Sequence, residues 1–438
     1  MSGPNQNRGS DEPTDLGLPI ADPARHGFVP ERLAQAMALV GKGVEIGAYP
    51  GAVAVIVRND AVVATSVVGH AELGTNTRPM RLDTIFDLAS VTKVVAGVSA
   101  VLLLLDAGLI CLDDSLGRFL PGFSHGAKRE ITLRHLLTHS SGLPPWLPCY
   151  SVARATAATM AYLPTIDLEA RPGTQVQYSD LGMALIRAMV QEVAGEDLPS
   201  LLDRTLFTPL GMRDTGYRPA ADQRHRIAAT ERGNRFEQRM VDRAGLRFTD
   251  WRTELLVGEV NDGNTYYALE GISSHAGLFA PAGDLVRFGR FLLQRGQWQG
   301  KVLFSPAAIE LAIRTHTAGM QASYGLGWRI NTRPTWHVPP LTRSTVTMAV
   351  FPDDPAALPR PSWAGDLLPT DTVGHTGFTG TAITLCPSLD LLLILLTNRV
   401  HPDADREGVE RVRACWHNAV AASIWPPVDP LNSRQIGR

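Results

Sequence analysis

Asp87-Leu88-Ala89-Ser90-Val91-Thr92-Lys93 runs directly into the strongest apolar run of the chain, residues 94–110. That run is short for a membrane span and holds Asp106, so it reads as a buried core helix. Ser90 stands where the helix begins. Lys93 follows one turn later, on the same side. A serine at a helix N-terminus sits beside free backbone N–H groups and the positive end of the dipole. Such donors stabilise a developing oxyanion. A neutral lysine three residues on accepts the hydroxyl proton, and burial against Val94 and Val95 is expected to lower its pKa toward the useful range. Alone, Ser-x-x-Lys equally describes a helix-capping serine with a snorkelling lysine.

Lysine usage singles out Lys93. Of 41 basic residues only Lys42, Lys93, Lys128 and Lys301 are lysine, and the other 37 are arginine, which cannot give up its proton at workable pH. Three of the four lysines lie in polar, turn-like contexts; Lys93 does not. The 438 residues, 44% hydrophobic and 19% charged, are ample for a buried core. A net charge of -2 gives no global pull toward nucleic acid or anionic membranes. Cys111, Cys149, Cys386 and Cys415 have no metal-type spacing and read as buried thiols. Residues 1–25 are polar with no apolar signal-peptide core, so a disordered tail over 1–27 and cytoplasmic residence are expected.

Outward from the serine, helical periodicity marks 30–46, 133–138, 180–193, 198–206, 283–294 and 403–424. Strands are predicted at 51–57 and 61–68, joined by Arg58-Asn59-Asp60, and at 372–376, 381–385 and 391–396. The Pro-rich stretch 334–369 reads as a loop. Strands at both ends with helices between give an α/β (α+β) fold in which one antiparallel sheet unites the chain ends. Terminal helices cover one face and a helical insertion the other. The expected layout is one domain over 28–426, with 28–85 and 320–426 in the sheet region, 86–319 mainly helical, and a C-terminal tail at 427–438.

Two further clusters join the first. Tyr178-Ser179-Asp180 precedes a helix, and Gly374-His375-Thr376-Gly377 ends a strand where small residues allow a substrate near the backbone. Ser-x-x-Lys, then Tyr-x-Asn-like, then His-Thr-Gly resembles the signature of β-lactamases and penicillin-binding proteins, most closely the class C β-lactamase and serine D-alanyl-D-alanine carboxypeptidase family. Thr132-Leu133-Arg134-His135-Leu136-Leu137-Thr138-His139-Ser140-Ser141-Gly142-Leu143, Pro209-Leu210-Gly211-Met212, His275-Ala276-Gly277-Leu278-Phe279 and Tyr324-Gly325-Leu326-Gly327-Trp328 extend the resemblance over roughly residues 30–424.

The resemblance implies a β-lactamase/transpeptidase-like fold and a serine hydrolase without metal or cofactor. Ser90 attacks a carbonyl, Lys93 and Tyr178 carry the protons, and the N–H groups of Ser90 and Phe378 form the oxyanion hole. Asp180, His375, Thr376, Gly377 and Phe378 border the substrate. The implied substrate is a small molecule or peptide, foremost one containing D-amino acids, with a carboxylesterase, a weak β-lactamase or a non-catalytic penicillin-binding-like protein as alternatives. Two departures bear on this choice. Asp180 stands where the family often has Asn; an ionised Asp only accepts hydrogen bonds and can pair with Lys93, which favours the charged lysine. His375 replaces the usual Lys and grips a carboxylate less firmly.

Other motifs have blander readings. His139 beside Ser140 fits a histidine bonded inside a helix-ending turn better than a Ser/His pair. His275, with Asp262 upstream, reads as ordering a loop at the cleft rather than as half of a metal site. Trp146 either lines the site or packs beneath a loop.

Overall fold

The computed structural model describes residues 16–332 and 362–424. Two apolar runs form the hairpin β1 (Gly51–Arg58) and β2 (Ala61–Glu72), turned by Asn59 and Asp60, both at positive φ (48° and 61°). Short polar side chains tolerate that region and suit a tight hairpin turn. The remaining strands are β3 (Arg78–Pro79), β4 (Ile85–Asp87), β5 (Gly216–Tyr217), β6 (Leu278–Pro281), β7 (Gln297–Trp298), β8 (Lys301–Val302), β9 (Arg329–Ile330), β10 (Val373–Thr376), β11 (Ala382–Cys386) and β12 (Leu391–Thr397). The main sheet runs β3-β2-β1-β12-β11-β10-β9, antiparallel throughout. The last strand thus pairs with the first, from Ala52 opposite Thr397 to Arg58 opposite Leu391.

Strand alternation sorts this sheet onto two cores. Val53, Val55 and Val57 of β1 join Leu392, Ile394 and Leu396 of β12 in the larger core. Ala52, Ala54 and Ile56 join Leu391, Leu393 and Leu395 in the smaller. Both faces are covered, so Leu391–Thr397 reads as an unbroken apolar run although its neighbours are antiparallel. The smaller core is closed by the helices Pro30–Glu45 and Val409–Ser423, the larger by Ala282–Leu293 and the helical region. This is the layered β-lactamase-like α/β architecture the sequence predicts.

Several boundaries differ. The helix carrying Lys93 opens as a 3-10 turn at Ala89–Val91 and a π turn at Lys93–Val98 before becoming α-helical at Ser99–Asp106. Residues 198–206 divide into the α-helix Leu198–Leu202 and a π turn at Asp203–Phe207. The terminal helix starts at Val409, after Gly408 at φ 99°. Residues 16–27, expected within the tail, are seated on the fold: Leu16 is buried, and Ala21 N donates to Val62 O at 3.0 Å. Of the four cysteines only Cys149 and Cys386 are buried, while Cys111 is exposed. The rest of the tail (1–15), residues 334–361 of the loop and the C-terminal tail 427–438 lie outside the described residues.

Gly69 of β2 faces Gly51 of β1 at φ 71°, and a Cβ there would lie 2.1 Å from the Pro50 carbonyl oxygen. Both the conformation and the backbone clash penalise a side chain. Gly69→Ala is expected to cost about 2 kcal/mol, read as a lower denaturation midpoint with unchanged m-value.

Candidate active site

The site lies where the segment before the core helix meets the end of β10. Thr379 Oγ1 donates to Asp87 O (2.8 Å) and Thr381 Oγ1 to Leu88 O (2.9 Å), stitching the β10–β11 turn to residues 87–88. A Cβ on Gly377 would fall 2.5 Å from Leu88 O, so glycine is what allows this approach. The turn sets Phe378 beside the serine segment. Among the described residues the Phe378 N–H has no hydrogen-bond partner. Its ring turns away onto Phe236, centroids 5.0 Å apart.

Ser90 follows Ala89, which is held at φ 44°, an uncommon conformation for alanine. Asp87 fixes it. One carboxyl oxygen accepts from Ala89 N (2.8 Å), the other from Asn261 N (2.7 Å). Burial raises the Asp87 pKa to about 6.

Lys93 is completely buried. Its ammonium donates to Ser90 Oγ (2.9 Å) and to His275 O (3.0 Å), and lies 2.7 Å from Asp180 Oδ1. The Lys93–Asp180 contact is a close ion pair. The phenolic oxygen of Tyr178 is in hydrogen-bonding reach of both Ser90 and Lys93, and the ammonium sits 4.8 Å from the Tyr178 ring centroid. Ser90, Lys93, Tyr178 and Asp180 therefore converge, although Tyr178 and Asp180 come from a loop and helix start far along the chain. Asp180 N is tied to Pro145 O and Ser179 Oγ to Pro144 O.

Protonation differs from the expectation. Burial pulls the Lys93 pKa down, but the charges of Asp180 and Tyr178 outweigh it and hold the ammonium above its ordinary range. The expected depression from burial is overturned: desolvation is the largest single influence, but Asp180 at 2.7 Å and Tyr178 together outweigh it. Tyr178 is pushed up to about 12 by burial, with Lys93 opposing. At neutral pH the resting site holds an ammonium and a neutral phenol.

His375 is buried, its Nδ1 3.0 Å from Thr376 O and its Nε2 without a hydrogen-bond partner among the described residues. Burial, then the Lys93 and Arg329 charges, keep it well below its ordinary pKa and hence neutral. Thr376, Gly377 and Phe378 are partly exposed along the cleft edge. His275 supplies the carbonyl that grips Lys93, and its ring is held by Asp262 Oδ1 (3.0 Å) and Ser273 Oγ (2.6 Å). Trp146 is buried within the large core, which decides for packing.

Three contributors escaped the sequence reading. Arg329 of β9 lies opposite Gly374, and its side chain makes no hydrogen bond or ion pair among the described residues. Its charge reaches the His375 and His139 rings. Asp87 acts on the Ser90 segment through Ala89. His139 packs on Tyr178, centroids 4.4 Å apart. Only Asp87 had a sequence signal, an acid three residues before Ser90.

An α/β fold with helices on both faces of one sheet, and with a serine, a buried lysine and a tyrosine meeting at the end of a sheet strand, defines a serine-hydrolase class of protein. The chain belongs to the Beta-lactamase family, whose model matches residues 36–415. It is 28% identical over 410 residues to a putative D-alanyl-D-alanine carboxypeptidase of Escherichia coli K12, covering 89% of this chain and 87% of that one. It is likewise 28% identical to an N-acetylmuramyl-L-alanine amidase of Bacillus subtilis, covering 85% and 82%. A class C beta lactamase from Rhodobacter sphaeroides has a similar fold, with TM-score 0.61, 21% identity, and coverage of 87% of this chain and 97% of that one.

A buried acid with a raised pKa favours the folded state below its unfolded value, near 3.8, and that stability is lost as pH rises through about 6. An Asp87→Asn variant lacks this titration and also turns an amide N–H₂ toward one of the two donors. The melting-temperature gap between wild type and Asp87→Asn is therefore expected to widen from pH 7 to pH 4, by an amount equivalent to roughly 2 kcal/mol. A constant gap would show that Asp87 does not titrate in this window.

Proposed function

We propose that the chain is an acyl-transferring serine hydrolase that cleaves an amide next to a free carboxylate, most simply in a D-amino-acid peptide. The observation that carries this reading is the convergence of Ser90, Lys93 and Tyr178 around one hydroxyl, beside the Phe378 N–H. Once the Lys93–Tyr178 pair has given up one proton to solvent, Ser90 Oγ attacks the carbonyl carbon and its own proton passes to the pair. The oxyanion is received by the Ser90 and Phe378 N–H groups. Tyr178 returns the proton to the leaving nitrogen, the C–N bond breaks, and water later releases the acyl group.

The charged resting state of Lys93 sets a condition on this cycle. A base is needed, and Asp180 holds the ammonium charged. A substrate N–H or ammonium that engages Asp180 competes with Lys93 for its charge and lowers the cost of removing the lysine proton. Asp180 thus supports a peptide substrate, since a simple ester brings no such donor.

Arg329 supports the carboxylate. His375 stays neutral and cannot supply the charge that a Lys would. Arg329, opposite Gly374 and without a side-chain partner among the described residues, leaves a cation beside the same strand. The carboxypeptidase name carried by the Escherichia coli relative agrees with this choice, and the Bacillus subtilis amidase name agrees with cleavage of a cell-wall amide.

Mass spectrometry after incubation with benzylpenicillin or a fluorophosphonate tests the reaction class. One covalent adduct is expected on wild type and none on Ser90→Ala. Lys93→Arg keeps the charge but cannot act as base, and a loss of labelling of at least about a hundredfold is expected. An adduct that survives Ser90→Ala refutes the nucleophile.

Arg329→Ala is expected to raise KM for a D-Ala-D-Ala peptide about tenfold or more while hardly changing hydrolysis of a neutral nitrophenyl ester. Equal effects on both substrates would remove Arg329 from carboxylate recognition.

A further inference from the structure

Tyr178 stands on the loop just ahead of the helix Asp180–Ala194, with no strand or helix of its own to fix it. Yet its phenol must stay in register with Ser90 and Lys93. The backbone N–H groups on either side of it both bond to one residue, while the side chains of Gln177 and Ser179 bond elsewhere, to Glu169 and to Pro144 O. Gln177 N donates to the His139 carbonyl oxygen (2.7 Å), and Ser179 N donates to His139 Nδ1 (3.2 Å). Between these two bonds the His139 ring lies against the Tyr178 ring, centroids 4.4 Å apart and planes inclined by 37°. We infer that His139 is the positioning residue of the Tyr178 phenol, fixing it from both flanks and from its ring face; this rests on the acyl-transfer reading above.

The local backbone is built for the task. His139 ends the short helix Leu133–Leu137 in the left-handed region, at φ 56°. That conformation is uncommon for histidine, and such strain persists where surrounding contacts over-determine it. Here it lets the carbonyl and the ring nitrogen of one residue serve the same segment. Tyr324 meets the His139 ring edge-on, centroids 5.1 Å apart.

The tautomer follows from the bonds. Nδ1 accepts the Ser179 N–H, so it carries a lone pair and the ring proton resides on Nε2. Nε2 is buried and has no hydrogen-bond partner among the described residues. Protonating Nδ1 would set N–H against N–H and break the clamp. Burial, followed by the Lys93 and Arg329 charges, pushes the His139 pKa down to about 3, so the acceptor persists at every working pH. The same depression makes His139 a poor base, and its bonding nitrogen is committed to the backbone. It acts through Tyr178.

Two isosteres separate this role from bulk packing. In His139→Asn the side-chain oxygen takes the place of Nδ1, and Asn tolerates the left-handed backbone. In His139→Gln the polar atoms fall near Nε2, and Nδ1 has no substitute. With a nitrophenyl ester as substrate, His139→Asn is expected to keep kcat within about threefold of wild type, and His139→Gln to lose about tenfold or more in kcat with little change in KM. Because the loss acts through the phenol, His139→Gln/Tyr178→Phe should be no slower than Tyr178→Phe alone.

Equal losses in the Asn and Gln variants, or a double variant slower by the product of both losses, would overturn the assignment. So would a Gln variant that does not fold, since His139 would then be a residue of the fold. Failure of the underlying reading looks different: wild type itself would show no Ser90-dependent adduct.

Discussion

A primary ammonium with no access to water must be answered from within the protein, and the environment of Lys93 is organised by that requirement. Losing hydration costs several kcal/mol for such an ion. One carboxylate, one carbonyl, one serine oxygen and one aromatic face meet the cost. Each comes from a different part of the chain. The lysine leads the core helix, the carboxylate opens a second helix, and the carbonyl belongs to the strip leading into β6. Folding them together is a condition for burying the charge at all. The geometry of the proposed catalytic group and the electrostatic solution are therefore the same set of contacts.

That solution also sets the chemical character of the site. A counter-ion 2.7 Å away helps keep the lysine charged, whereas an asparagine at 180 would leave only Tyr178 to oppose burial. The neutral imidazole of His375, with a cation displaced to Arg329, changes where negative charge is received. Both differences lie at positions where the chain departs from the lactamase pattern, and both move the site away from a freely available amine base.

Much of this was legible in the chain. Ser90, Lys93 and Tyr178 lie in ordered triplets, and the alternating or continuous apolar runs at 51–58 and 391–397 fix the sheet. The proton balance was not, because a pKa is a sum over neighbours and the sign at Lys93 turns on how closely Asp180 approaches. Arg329 escaped because its neighbour Gly374 is placed by pairing across β9 and β10, and a two-residue strand has no periodicity to detect. The little sheet of β4, β6 and β5 was missed for the same reason. His139 was correctly read as a turn histidine. What sequence could not supply is that the turn faces Tyr178. Residues 16–27 look like a polar tail, and contacts that no sequence pattern reveals, among them the burial of Leu16, the bonds to Val62 and those from Arg58 to His26 O and Gly27 O, tie them to the domain.

The first hairpin has a delayed partner. β1 needs β12 along its open edge, and more than three hundred residues separate them. During synthesis the ribosome releases an apolar two-stranded ribbon whose hydrogen-bonding edge stays vacant until residues 391–397 have been made. Such long-range closure is slow and leaves the nascent chain open to misassociation. The sheet of a newly made molecule is therefore complete only once β12 has entered between β1 and β11.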